Sequence, residues 1–99
     1  MVYHLVLCKL KSNVSEQQIQ EFERAWHALQ KEIRGLLSIE GGPDMSIENL
    51  NKGYTRAYVV KFTNKEARNV YVSHPQHKAL IQNTILPLVD DICVVDVEF

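Results

Sequence analysis

The sequence contains no apolar run that approaches the roughly 20 residues a membrane-spanning helix needs. Its first residues, MVYHLVLCKLK, have neither the charged region nor the small-residue cleavage site of a signal peptide. The 11 basic and 12 acidic side chains are interspersed and give a net charge of -1. No basic stripe is therefore available for nucleic acid or anionic lipid. We expect a cytoplasmic protein with no nucleic-acid partner and no membrane partner.

Cysteine is scarce, and the chain is short. The two cysteines, Cys8 and Cys93, each lie in a segment rich in Val, Ile or Leu, where a free thiol behaves as a small hydrophobic side chain. A disulfide is not expected, because thiols stay reduced in the cytoplasm. The 99 residues predict a single domain over residues 1–99. A domain of this size buries only about two-thirds of the surface of its unfolded chain, so a partner subunit would add stability.

The first third of the chain predicts a strand followed by an amphipathic helix. Val2–Leu10 is apolar on both alternating sets of residues, which is typical of a strand covered on two faces. Ser15 and Gln18 form a capping box that begins a helix, and Gly35 is the expected residue just after its end. Between them, apolar residues recur at spacings of three and four, so the helix should lay one face on a sheet. These residues are Ile19, Phe22, Trp26, Leu29 and Ile33.

The middle of the chain predicts two strands joined by a long polar connection. The strands are expected over Leu36–Glu40 and Tyr54–Phe62, and the second is rich in aromatic and β-branched residues. The thirteen residues between them, GGPDMSIENLNKG, are turn formers and polar groups near the upper length for an unstructured connection. Such a long loop often covers something.

A second helix is expected directly after the second of these strands. Thr63 and Glu66 have the spacing of another capping box. The helix that follows is expected to turn Ala67, Val70 and Tyr71 toward the core.

The stretch YVSHPQH, residues 71–77, predicts a boundary between two helices. The residue before a proline is pushed out of the α region, so the second helix is expected to break near His74. Pro75 fits the first position of a third helix, which makes His74 its N-cap and places His77 at its third position. The expected inner face of this helix consists of Leu80, Ile81, Thr84, Ile85 and Leu88. Ile92–Phe99 then closes the chain as an apolar strand.

The predicted order, β-α-β-β-α-α-β, describes a ferredoxin-like α+β fold with helices on one face of the sheet. The other face would expose Tyr3, Leu5 and Leu7 together with Ala57 and Val59. A patch of this size is too large for a monomer in water. A second copy is therefore expected to pack its sheet on this face, so that a homodimer closes an α+β barrel.

Six strings, taken in order and with their spacing, resemble the stress-responsive α/β-barrel (Dabb) domain family across essentially the whole chain. They are VYHLVLCKLK, VSEQQIQEF, IEGGPDMSIENLNKGYT, VVKFTNKEA, YVSHPQH and LVDDICVVDVEF. The resemblance implies a small dimeric α+β barrel. One member of this family is a plant polyketide cyclase that folds a linear tetraketide thioester by an intramolecular aldol reaction, without a metal or a cofactor.

The resemblance to that cyclase implies roles for seven residues. Its general-base histidine falls on His77, and the tyrosine that holds its substrate falls on Tyr71. The residues that would bind substrate or wall the acyl pocket are His4, Phe22, Trp26, Arg56 and Tyr58. Arg56 stands where the cyclase has a histidine, and Tyr58 stands where a small aliphatic residue is expected. The pocket is therefore expected to be smaller and more cationic than that of the cyclase.

The chemistry of an aldol cyclase suits the expected positions of His77 and Tyr71. A histidine in the first turn of a helix should stay neutral, because the positive end of the helix dipole disfavours imidazolium. It can then accept a proton from the carbon between two carbonyls, while Tyr71 donates a hydrogen bond to the oxyanion. His4 and Arg56 are expected to orient a carboxylate or thioester tail. We expect a chamber in each protomer in which the imidazole faces the phenol.

Several of these residues also have simpler interpretations. A Tyr/His pair at a helix junction often only satisfies buried backbone groups, and Phe22 and Trp26 at this spacing are usually core. His27 is expected to be solvated. A metal site at HPQH is disfavoured, because His74 lies outside the helix and no third ligand is evident.

Three functions of different classes remain at this point. The first is a cofactor-free cyclase, or a related enzyme, acting on a polyketide-like or β-carbonyl substrate. The second is a non-catalytic stress-responsive protein that binds a small apolar ligand. The third is a small haem or quinol monooxygenase, which ranks last because the chain has no clear haem-ligand arrangement. Fold analogy alone does not separate them.

Overall fold

A computed structural model describes all residues 1–99. The chain forms one four-stranded antiparallel sheet with helices on one face. The strand order is β2-β3-β1-β4, which confirms the predicted ferredoxin-like α+β fold. The elements are β1 (Val2–Leu10), α1 (Glu16–His27), β2 (Leu36–Pro43), β3 (Arg56–Phe62), α2 (Lys65–Ser73), α3 (Pro75–Leu80) and β4 (Val89–Glu98). None of these helices is long and apolar enough to cross a membrane.

The start of α1 is confirmed, but its end differs from the prediction. The Ser15 hydroxyl accepts from the backbone N–H of Gln18 at 3.1 Å, and the Gln18 side chain accepts from the N–H of Ser15 at 2.8 Å. The α-helix ends at His27, well before Gly35, and a 3₁₀ turn follows over Gln30–Glu32. Leu29 and Ile33, the last two residues of the predicted apolar stripe, flank this turn and still pack in the core. All five residues of the stripe are buried, namely Ile19, Phe22, Trp26, Leu29 and Ile33.

The start of α2 lies one residue later than predicted. Its N-cap is Asn64, whose side-chain oxygen accepts from the N–H of Ala67 at 2.9 Å, and not Thr63. The N–H of Thr63 instead donates to the carbonyl of Gly35 at 2.9 Å, so Thr63 stays with the strand edge and leaves the cap to the next residue. Asn is at least as good an N-cap as Thr.

The inward face of α2 is narrower than predicted. Ala67 and Tyr71 are buried, but Val70 is 54% exposed. One residue corresponds to a rotation of about 100° around a helix axis, so Val70 turns away when its neighbour Tyr71 faces the core.

The boundary between α2 and α3 is confirmed. His74 is extended and caps α3, its Nδ1 accepting from the N–H of Gln76 at 3.1 Å, and Pro75 occupies the first helical position. After α3 the chain continues through a π turn (Ile81–Ile85) and a 3₁₀ turn ending at Leu88. The predicted inner face is buried or half-buried throughout.

The strand ends shift by two or three residues from the predicted ones. β2 extends to Pro43, β3 begins at Arg56, and β4 begins at Val89. The polar connection is therefore confined to residues 44–55. It carries three exposed apolar side chains, Met45, Ile47 and Leu50.

The sheet face away from the helices carries an apolar stripe. In the register, Leu5 lies opposite Val59 of β3 and Val95 of β4. Val95 and Val97 are 50% and 38% exposed. The predicted uncovered apolar face is therefore present in the protomer.

Candidate functional site

Three side chains from β1, α2 and α3 meet at one end of the core. The ring centroids of Tyr71 and His77 lie 4.2 Å apart, and those of His4 and Tyr71 lie 5.8 Å apart. Tyr71 sits at the end of α2 and His77 in the first turn of α3, so the Pro75 junction brings them together. Their exposed fractions are 1% for Tyr71, 7% for His4 and 8% for His77. Trp26 contacts the same group through its indole N–H, which donates to the Tyr71 hydroxyl, so the structure groups four of the seven predicted site residues.

The tautomer of His77 follows from a single hydrogen bond. Its Nδ1 lies 3.2 Å from the carbonyl oxygen of Val72, and because a carbonyl only accepts, Nδ1 must carry the proton. In the neutral ring Nε2 is therefore the unprotonated nitrogen. Nε2 has no protein partner, yet it is not among the fully enclosed polar atoms. It keeps contact with the protein surface and is free to accept a proton.

The protonation of His77 favours the base form. Burial lowers the pKa of the imidazole below its ordinary 6.5, and the nearby His4 and His74 act in the same direction. The hydrogen bond to Val72 opposes this change, because it stabilises the protonated ring. The direction agrees with the predicted neutral imidazole, although the main physical cause is desolvation rather than the helix end.

Tyr71 is held as a neutral hydrogen-bond donor. Its hydroxyl accepts from the indole N–H of Trp26 at 2.8 Å, and no protein group accepts the proton of the hydroxyl itself. Burial raises the pKa of Tyr71 to about 12, against the effect of the Trp26 N–H. At neutral pH the phenol therefore keeps its proton.

His4 is anchored by a residue that sequence reasoning missed. Its Nδ1 lies 2.7 Å from a carboxylate oxygen of Asp96, and Asp96 also pairs with Arg68 of α2. Asp96 and His4 lie opposite each other in the β1–β4 register. The available signal was the presence of two carboxylates, Asp96 and Glu98, in the mainly apolar run ICVVDVEF. Only the strand pairing shows which of them meets His4.

Arg56 and Tyr58 belong to a second cluster, around Glu23 of α1. The Tyr58 hydroxyl donates to Glu23 at 2.6 Å and accepts from Nε of Arg56 at 3.0 Å, while Nη2 of Arg56 donates to Glu23 at 3.0 Å. Burial and the bond to Glu23 raise the pKa of Tyr58. Glu23 was not predicted as a site residue, and its place next to Phe22 on α1 was the only signal.

The two clusters lie at opposite ends of β1. Arg56 pairs with Cys8, whereas His4 pairs with Val60. Cys8 follows His4 by four positions along the strand, a distance of about 13 Å at roughly 3.3 Å per residue. The structure therefore does not bring Arg56 to His4, and its guanidinium is already bound by Glu23.

Aromatic rings fill the core between the clusters. The ring of Trp26 lies 5.2 Å from that of Phe22 and 4.8 Å from that of Tyr58, and Phe22 lies 5.7 Å from Tyr58. The predicted chamber, in which His77 faces Tyr71, is not seen, because none of the five main pockets of the protomer is lined by His4, Tyr71 or His77. A ligand would therefore reach His77 from the surface.

The remaining histidines have local structural roles. His27, expected to be solvated, is exposed but its Nε2 binds the carbonyl of Ile39 at 2.7 Å and ties α1 to β2. His74 caps α3. No group of three or more His, Cys, Asp or Glu side chains is arranged to hold a metal ion.

Comparison with known proteins relates the whole chain to one family. The model of the stress responsive A/B barrel domain family matches residues 2–99. The stress-response A/B barrel domain-containing protein HS1 of Arabidopsis thaliana is 34% identical over 95 residues, which cover 96% of this chain and 86% of that protein. Olivetolic acid cyclase of Cannabis sativa is 32% identical over 76 residues, which cover 77% of this chain and 75% of that protein.

A solved structure supports the same assignment at the level of the fold. A dimeric ferredoxin-like protein of unknown function from Jannaschia superposes on the chain with a TM-score of 0.86 and 27% identity. The match covers 99% of this chain and 98% of that one.

Proposed function

The chain belongs to the stress-responsive A/B barrel domain family, and from this premise we propose that it is a cofactor-free acid–base enzyme acting on a small β-carbonyl or polyketide-like compound. His77 is the general base and Tyr71 is the hydrogen-bond donor to the carbonyl oxygen. The observation that carries the proposal is the contact of two rings, with centroids 4.2 Å apart, each of which has one polar group without a protein partner. These are the free Nε2 of a neutral imidazole and the unpaired proton of a phenol.

The two groups supply complementary parts of one reaction. Nε2 of His77 takes the acidic proton from the carbon between two carbonyls, and the electron pair left behind moves onto a carbonyl oxygen. The Tyr71 hydroxyl stabilises that enolate oxygen, and the indole N–H of Trp26 holds the hydroxyl in place. The similarity to a plant cyclase supports carbonyl chemistry of this kind.

The proposal is tested with a panel of poly-β-keto thioesters incubated with and without the protein and analysed by mass spectrometry. A product pattern that differs from spontaneous cyclisation is expected. Identical product patterns would favour the second hypothesis, a non-catalytic stress-responsive protein that binds a small ligand. A haem titration tests the third hypothesis, a haem monooxygenase, and a shifted Soret band would support it.

The pH dependence of the reaction follows from the pKa of the two groups. Protonation of Nε2 removes the base, and because burial places the pKa of His77 below 6.5, this loss occurs only below that pH. Tyr71 ionises near pH 12. We expect kcat/KM to be flat between about pH 7 and 9 and to fall toward acid with a single proton. A profile measured with an active thioester checks this, and an acid midpoint above 6.5 would contradict the assignment of His77.

We also propose that the protein is a homodimer joined through the apolar sheet face. The stripe around Leu5 and Val95 supports this, as does the dimeric state of the Jannaschia relative. A stable interface buries about 800 Å² on each partner, a large share of it apolar. The sheet face offers exposed apolar side chains for such an interface, among them Val95 and Val97.

The dimer predicts the effect of one buried charge. Leu5→Asp places a carboxylate at the centre of the stripe, where burial without a partner is costly. Light scattering is expected to show a fall from the mass of two chains to that of one. Val70→Asp is the matched control, because Val70 is exposed on α2, and this variant should remain a dimer. A wild-type protein that elutes as a monomer at micromolar concentration would refute the interface.

A further inference from the structure

A carboxylate bridges His4 and Arg68 beside the candidate site. Asp96 of β4 accepts from Nδ1 of His4 with one oxygen, at 2.7 Å, and from Nη1 of Arg68 with the other. The guanidinium is also held from a second side, because its Nε donates to the side chain of Asn69 at 2.9 Å. Both side chains of the Arg68–Asp96 ion pair are only 25% exposed, so salt screens the pair less than a fully exposed one. The bridge therefore connects α2 through β4 to β1.

The bridge also decides which nitrogen of His4 carries a proton. A carboxylate whose other oxygen is bound by a guanidinium acts as an acceptor, so Nδ1 of His4 donates to it. In the neutral ring the lone pair is therefore on Nε2. This nitrogen has no protein partner, and it is not among the fully enclosed polar atoms. His4 thus has the same tautomer as His77, whose free nitrogen is also Nε2.

The charges that face His4 sum to zero when its own ring is neutral. The titratable groups around it are the carboxylate of Asp96, the guanidinium of Arg68, the phenol of Tyr71 and the imidazole of His77. The last two are neutral at neutral pH. A carboxylate alone at hydrogen-bond distance favours the charged form of an imidazole. The guanidinium on the same carboxylate opposes that effect, because it repels a second positive charge.

We infer that Arg68 is a positioning residue of the candidate site, which keeps His4 uncharged by pairing with Asp96. Arg68 does not touch the reacting atoms and acts through the carboxylate. A charged His4 would make His77 a weaker base, because a proton on His77 would then bring two positive rings close together. This consequence for catalysis rests on the proposed function, whereas the charge of His4 does not.

The charge of His4 is measured by NMR, without any catalytic assay. In protein labelled with ¹⁵N-histidine, the ring signals show whether one nitrogen or both carry a proton. Arg68→Met removes the charge and the donors but keeps a long side chain. The ratio of charged to neutral His4 near neutral pH is expected to rise about tenfold, the effect of one opposite charge left unbalanced. Asp96→Asn is expected to lower the ratio. A purely structural role would not move the ratio in opposite directions.

Control variants keep this measurement decisive. Arg68→Lys restores the positive charge and is expected to bring the ratio back toward that of the wild type. Arg24→Met removes an equal charge from an exposed position of α1 and should leave His4 unchanged. Arg68→Ala serves if Arg68→Met does not fold. The inference is overturned by an unchanged ratio in the folded Arg68 variant, by an equal rise in Arg24→Met or Asp96→Asn, or by a wild-type His4 with its proton on Nε2.

The consequence for catalysis is tested with an active β-keto thioester. The kcat of Arg68→Met is expected to fall about fivefold, because the rate of general-base catalysis follows the strength of the base. KM should stay near that of the wild type, and Arg68→Lys should recover most of the loss. An unchanged kcat together with a raised NMR ratio would overturn the link from His4 to His77. If the wild type converts no thioester, the proposed function fails, and the NMR result still decides the role of Arg68.

Discussion

His77→Gln is expected to lower kcat/KM by about 10²- to 10⁴-fold, the usual contribution of a positioned general base. The amide of Gln can still donate to the carbonyl of Val72, which His77 binds at 3.2 Å, so the α2–α3 junction should persist. What the variant loses is the unprotonated imidazole nitrogen, because burial holds the pKa of His77 below 6.5 and an amide nitrogen accepts no proton. The measurement is the rate of cyclised product formation from an active β-keto thioester, with folding checked by circular dichroism.

Two control variants separate the base from its surroundings. His74→Asn removes the neighbouring imidazole but keeps an N-cap on α3, since Asn is a strong capping residue, and it should retain activity. Tyr71→Phe removes the donor and is expected to lower kcat without moving the acid limb of the pH profile. A His77→Gln protein within threefold of the wild type would show that His77 is not the base.

Trp26→Ala is expected to lower the free energy of unfolding by about 3–5 kcal/mol, the usual cost of truncating a buried Trp or Phe. Trp26 is 2% exposed, packs between the rings of Phe22 and Tyr58, and donates to the Tyr71 hydroxyl. Its removal leaves a large cavity between the two clusters. Urea unfolding followed by circular dichroism gives the value.

Trp26→Phe is the matched comparison. It keeps most of the aromatic packing and loses the indole N–H, so a smaller cost is expected. A double-mutant cycle with Tyr71→Phe isolates the Trp26–Tyr71 hydrogen bond, for which a coupling of about 0.5–3 kcal/mol is expected for residues in contact. A loss below about 1.5 kcal/mol for Trp26→Ala would mean that the core between the clusters collapses easily or is not packed as described.

The starts of the first and third helices are readable because their signals are local. The Ser15–Gln18 capping box and the Pro75 position act through neighbouring backbone groups, and both are confirmed. The α2 cap is predicted at Thr63 because Thr63 and Glu66 have the spacing of a capping box. The contact of Thr63 with Gly35, 28 positions earlier in the chain, gave the role to Asn64.

The candidate site was only partly readable from the sequence. Its two central residues, Tyr71 and His77, lie six positions apart, so a motif can contain both of them. His4 and Asp96 are 92 positions apart and meet only through the pairing of β1 with β4. Glu23 likewise reaches Arg56 and Tyr58 across the space between α1 and β3.

By itself, the amino-acid sequence determined the order of the elements, the family, the start of α1 and the α2–α3 junction, because these depend on periodicity and on groups within one helical turn. Only the tertiary structure decided where α1 ends, which carboxylates anchor His4 and Arg56, and which aromatic rings fill the core between those two residues. Those features depend on strand register and ring packing between distant residues, and no local pattern encodes either.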